Sequence, residues 1–101
     1  MNWHVLSEAN SEVIAATLWY DEQRLGLGDE FLVELQNTYE IIKRQPALLP
    51  RLEKYTGPHE IRRCLLQRFP YVVIALCRDD DLFIVAVAHT RRRPHYWLNR
   101  I

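Results

Sequence analysis

The sequence predicts an α+β fold: one N-terminal strand, a two-helix hairpin, then a three-stranded antiparallel meander, with the strands in one sheet. Three observations predict it. Apolar residues recur at helical spacing from Ala9 to Ile42, and two glycines interrupt that stretch midway. Past Gly57-Pro58 the pattern changes to short apolar runs separated by brief turns. The chain has 101 residues, which leaves room for one domain, residues 1–101, and no second.

Trp3 to Leu6 reads as the first strand, ended by Ser7, whose hydroxyl suits the cap of a helix beginning at Glu8. Ala9, Val13, Ala16 and Tyr20 share one face of that helix, with Glu8, Glu12 and Gln23 off it. Trp19-Tyr20 reads as half core and half hairpin surface. Leu25-Gly26-Leu27-Gly28 permits a tight reversal, because glycine lacks the Cβ that blocks left-handed backbone. A second helix starts near Asp29 and Glu30, carries Phe31, Leu35, Tyr39 and Ile42 on one stripe, and has Lys43 and Arg44 in its last turn before Pro46 ends it. Residues 47–58 read as a loop.

Three strands follow, at Glu60 to Gln67, Tyr71 to Arg78 and Leu82 to His89, with turns at Arg68-Phe69 and Asp79-Asp80-Asp81. If the first turn centres on residues 68 and 69, paired residue numbers sum to 137. Cys64 then faces Val73, Cys77 faces Glu60, and the two thiols sit about 13 Å apart at roughly 3.3 Å per residue, out of disulfide reach. The same register puts Cys64, Leu66, Tyr71, Val73 and Ala75 on one face and Ile61, Leu65, Val72, Ile74 and Leu76 on the other. Both faces are apolar, and a helix hairpin covers one. The other calls for the C-terminal tail, a second copy of the chain or a dedicated partner. The tail is short and carries Arg91, Arg92, Arg93 and Arg100, which favours a partner.

Hydrophobic residues make up 49% of the chain and charged residues 26%, a globular balance rather than a disordered one. No apolar run approaches the roughly 20 residues of a membrane-spanning helix, and the reduced-thiol reading of the cysteines fits a cytoplasmic protein. The net charge of zero divides unevenly. Residues 1–50 carry three cationic and eight anionic side chains, net −5; residues 51–101 carry ten and five, net +5. The basic half suits an anionic partner, phosphate backbone or acidic peptide, although charged faces of this kind are more often simply solvated.

No phosphate-binding glycine loop, zinc spacing or nucleophile-base motif is present. His4, His59, His89 and His95 lack ligand spacing, so no metal and no cofactor is expected. What stands out is Arg62-Arg63, Arg68-Phe69-Pro70-Tyr71, His89, and Arg91-Arg92-Arg93-Pro94-His95-Tyr96-Trp97. Converging arginines with a histidine and a tyrosine can cleave RNA without metal. A base takes the 2′-hydroxyl proton, arginines stabilise the charged phosphorane, and an acid protonates the leaving oxygen. The plainer reading is that the arginines pair with carboxylates, His89 ends a strand, and Tyr96 and Trp97 cover the second sheet face.

Taken in order, Ala16 to Tyr20, Gly26-Leu27-Gly28 with Phe31-Leu32, Ile61-Arg62-Arg63, Phe69-Pro70-Tyr71, and then His89, Arg92, Pro94, Tyr96 and Trp97 resemble the plasmid-stabilisation toxins of the ParE/RelE superfamily. The resemblance spans nearly the whole chain and implies the same fold. It implies a type II toxin-antitoxin system, in which an antitoxin wraps a growth-inhibiting toxin along its helices and sheet.

Two activities divide the superfamily. RelE-like members cut mRNA on the ribosome, whereas ParE-like members poison DNA gyrase without a known nuclease site. Val72 stands where RelE-type toxins place an arginine, and Leu65 where they place a lysine. The resemblance therefore implies a ParE-like inhibitor of gyrase, not an enzyme, with an effector surface at Arg91, Arg92, Arg93, Tyr96 and Trp97. The alternatives are a metal-independent endoribonuclease using Arg63, Arg68, His89, Arg92 and Tyr96, and a non-toxic binding module of the same fold. A homo-oligomer is compatible with each.

Overall fold

The computed structural model describes residues 1–101. Strand β1 (Asn2–Val5) is followed by helices α1 (Ser7–Gln23) and α2 (Leu27–Arg44), then β2 (Glu60–Leu65), β3 (Tyr71–Arg78) and β4 (Asp81–His89). The four strands form one sheet in the order β1-β4-β3-β2. β1 lies parallel to β4, and the rest of the sheet is antiparallel. The α+β fold read from the sequence is the fold observed.

The helix hairpin closes for two local reasons. Gly26 has a φ of 91°, open to glycine and costly for other residues. Gly28 lies in the first turn of α2 against α1, where an added Cβ would sit 2.6 Å from the Thr17 carbonyl oxygen. Its amide donates to Asp21 Oδ1 at 2.8 Å. The second helix therefore starts two residues earlier than its acidic residues suggest. Ser7 is not a cap either: it is the first residue of α1, and its hydroxyl donates to the Glu8 carboxylate.

The strand register is the expected one, with Glu60 opposite Cys77, Cys64 opposite Val73 and Leu65 opposite Val72. Both cysteines are free, and burial pushes both thiols above their ordinary pKa, which keeps them protonated and poorly nucleophilic. β2 ends at Leu65 rather than Gln67, because Leu66 and Phe69 turn inward onto the helices and make the connection longer than a two-residue hairpin.

The two faces of the sheet bury separate clusters. On the helix side, Phe31, Leu35 and Ile42 from α2 and Ala9, Val13 and Ala16 from α1 pack on Val73, Ala75, Leu82, Ile84 and Val87. Tyr20, Phe31, Phe69 and Tyr71 meet there in edge-on and tilted contacts with ring centroids 4.8–6.1 Å apart.

Most of the opposite face is covered from within the chain, which corrects the expectation that a partner must shield it, and only its end near Leu65, 52% exposed, stays open. Trp97, 2% exposed, packs with Ile61, Ile74, Leu76, Val85 and Ala86, while Leu52, Tyr55 and Tyr96 close the sides. The segment read as a plain loop contributes here. Its Pro46–Leu48 is a short 3-10 turn, and Arg51 bridges to Arg62 along the outer edge of β2. Arg63 N–H donates to the Pro50 carbonyl, and Leu52 N–H to the Ile61 carbonyl, both at 3.0 Å. That sheet edge is closed where it would otherwise offer free amides.

A bulge in β4 makes the second cluster fit. Ile74 pairs with Ala86 but Ala75 pairs with Ile84, so Val85 is an extra residue. Val85 and Ala86 can therefore point to the same face although they are neighbours, which strict alternation forbids.

Candidate functional site

The tail after β4 and the segment before β2 leave a cleft of about 360 Å³ on the second sheet face. Val72, Ile74 and Ala88 line it from the sheet, and Lys54, Arg63, Arg92 and Arg93 stand around it with a single carboxylate, Glu53. Arg63 is there because strand alternation puts it on the face of Ile61 and Leu65. Arg92 and Arg93 lie in the turn after His89, exposed to solvent. None of these four cations forms an ion pair.

The tail is pinned by Glu12, which sequence reasoning had set aside as lying off the apolar face of α1. β1 pairs with β4 only as far as Ile84, so the outer edge of β4 is unpaired from the bulge onward. Glu12 occupies that edge. Its carboxylate accepts from Val87 N–H at 3.1 Å, from the Tyr96 hydroxyl, and from the Arg100 guanidinium at 2.9 and 3.2 Å. Arg100 in turn donates to the Val85 carbonyl at 3.0 Å. The carboxylate side chain is only 16% exposed, and such a group is tolerable inside because its charge and lone pairs are met. No periodicity in the sequence marks Glu12. Its distant basic and hydroxyl partners are the only signal, and they become neighbours only in the fold.

Tyr96 is consequently fixed. The Arg92 guanidinium stacks 3.9 Å from its ring centroid, and Arg100 lies 5.1 Å from it. Burial, the hydrogen bond to Glu12 and the negative charge of Glu12 all hold the Tyr96 phenol above its ordinary pKa. It stays protonated, with its hydroxyl already committed. His89 borders the same cleft, and its Nδ1 accepts from the Arg91 N–H at 3.1 Å, which places the proton of the neutral ring on Nε2.

The structure thus brings Arg63, His89, Arg92 and Tyr96 to one cleft. Arg68 is not with them. It sits in the β2–β3 connection on the helix side, 60% exposed, with its guanidinium on Glu30 at 2.9 Å and its amide on Glu34. Of the expected effector surface, Arg91, Arg92 and Arg93 are exposed and Tyr96 is half-buried. Trp97 is a correction: it lies beneath that surface as part of the second cluster, because its large apolar ring fills the space left by Ile74 and Val85.

A second surface lies across His89 and Arg92 from the cleft. Trp19, 54% exposed, lines it with Ala15, Tyr71 and His89. It continues onto the outward face of α1, where Ile14 and Leu18 are exposed one turn apart. No three His, Cys, Asp or Glu side chains come together as a metal site, and no helix is long and apolar enough to cross a membrane.

No protein-family model matches the sequence, and no curated protein matches it. Among solved structures, a chain of the chromosomal ParDE TA system from P. aeruginosa has the same fold. The TM-score is 0.66 over 88% of this chain and 95% of that one, at 16% sequence identity.

Proposed function

We propose that this chain is the toxin of a type II toxin-antitoxin module, a cytoplasmic growth inhibitor that acts on DNA gyrase and is neutralised by a cognate antitoxin. The observation that carries the reading is the fold shared with the ParDE chain over nearly the full length of both. The exposed apolar stripe of Ile14, Leu18 and Trp19 supports a bound partner, since an antitoxin segment lying along α1 would remove it from water.

The choice of gyrase inhibition over RNA cleavage rests on the cleft. A nuclease needs a base and an acid free to move protons, yet the Tyr96 hydroxyl is held by Glu12 and Arg68 is on the far side of the sheet. Leu65 and Val72 put hydrocarbon where phosphate-binding side chains would be expected. One observation favours the second reading, an endoribonuclease: Arg63, His89 and Arg92 do share the cleft.

The test is to induce the chain alone in bacteria and follow growth, DNA supercoiling and transcript integrity in one culture. Growth arrest with disturbed supercoiling and intact transcripts is expected. Cleaved transcripts with undisturbed DNA would transfer the assignment to the nuclease, and unimpaired growth would leave a binding module of toxin-like fold.

A further inference from the structure

We propose that the cationic cleft receives an acidic segment of a protein partner, whose carboxylates are held by Arg63, Arg92, Arg93 and Lys54. The inference deepens the reading above and rests on it, the partner being the protein on which the toxin acts. Four cations surround the cleft against the lone carboxylate of Glu53, and none of the four has an ion-pair partner within the chain. Elsewhere five of the nine lysines and arginines are paired. Arg24, Arg62, Arg68, Arg100 and Lys43 each hold a carboxylate, and of the eight lysines and arginines left without one, four meet at this cleft while Arg44, Arg51, Arg78 and Arg91 stand outside it.

The setting strengthens what these cations can do. Arg63 is half-buried beside Val72 and Ile74, where the local dielectric is lower than in water and an arriving anion is held more strongly. Arg92 is oriented in advance by its stack on Tyr96, which is itself anchored through Glu12. A guanidinium already held in place loses less freedom on binding, and its planar fork matches a carboxylate with two parallel hydrogen bonds.

Aromatic availability decides between an acidic peptide and a nucleic acid strand. Single-stranded nucleic acid is held by base stacking as much as by charge. Here Tyr96 has Arg92 and Arg100 against its ring and Trp97 is buried, so neither offers the open ring face that a base needs. The chain as a whole is neutral, which withholds the long-range attraction that draws in a polyanion. A few carboxylates on a peptide need only the local charge of the cleft.

The experiment is to titrate the purified full chain with a short labelled oligoglutamate peptide and, separately, with a single-stranded oligonucleotide of matched charge. The peptide should bind more tightly, with affinity falling as salt rises. Arg92→Gln with Arg93→Gln should weaken it by about tenfold, or about 1.4 kcal/mol. Arg24→Gln, on the helix hairpin, should leave it unchanged. Preference for the oligonucleotide overturns the inference, as does peptide binding that the cleft substitutions do not affect. Growth inhibition without peptide binding overturns this inference and leaves the toxin reading intact. Cleft-dependent peptide binding by a chain that never slows growth upholds the cleft chemistry and overturns the toxin reading instead.

Discussion

The two faces of the sheet are closed by different means. The helix side is covered by α1 and α2, whose inward residues follow one another at helical spacing and meet the sheet as hydrocarbon on hydrocarbon. The tail side is covered by irregular chain, with one tryptophan beneath it and one part-buried carboxylate holding it in place. The first arrangement leaves little room for anything but stability. The second leaves a cleft lined with unpaired cations, and the proposed partner site is placed there because a surface that is incompletely packed can still receive a partner.

Substitutions should separate the faces by size of effect. Phe31→Ala, at the fully buried centre of the helix side, should cost about 4 kcal/mol of unfolding free energy in denaturant titration. Trp97→Ala should cost about 3 kcal/mol if the tail side is a true second core. A loss near zero would reduce the tail to a loose covering and break the comparison. Glu12→Ala removes the acceptor of Val87 N–H, the Tyr96 hydroxyl and Arg100 together, and about 2 kcal/mol is expected from such partly buried polar groups left unmet. In that variant, NMR should also show the Arg92 side chain losing the ring-current shift it owes to Tyr96.

Alkaline pH offers a gentler probe of both faces. Burial pushes Tyr39, on the helix side, up to about 12, and Tyr96, on the tail side, is raised by burial and Glu12. The unfolded chain releases these protons first, near the ordinary phenol value of about 10. Their contribution to stability is therefore complete below that pH and is lost as pH rises above it. Tyr39→Phe and Tyr96→Phe should each flatten the decline seen in denaturant midpoints across that range. The smallest effect belongs to Arg68→Ala, whose pairing with Glu30 is exposed and screened by water, so the thermal unfolding midpoint should barely move. The same substitution should leave growth inhibition unchanged, since Arg68 lies away from the cleft.

Much of this was legible beforehand wherever a short period governs. The residues Ala9, Val13, Ala16 and Tyr20 of α1 and Phe31, Leu35, Tyr39 and Ile42 of α2 are buried as their spacing requires. The pairing of Cys64 with Val73 follows from the position of one turn. Arg63 and Arg92 could be picked out as residue types, but not placed in one cleft apart from Arg68, because a side chain's neighbours across the sheet depend on how loops return.

The sequence by itself therefore determined the main elements, the β2–β3 register and the presence of two apolar sheet faces, since these depend on alternation and helical repeat within a few residues. Only the tertiary structure decided what covers the second face. That outcome turns on Glu12 meeting Tyr96 and Arg100, 84 and 88 residues away, and on a bulge that frees the edge of β4 for them. Polar contacts over such separations leave no periodic trace in the sequence, and they become visible only when the chain has brought the groups together.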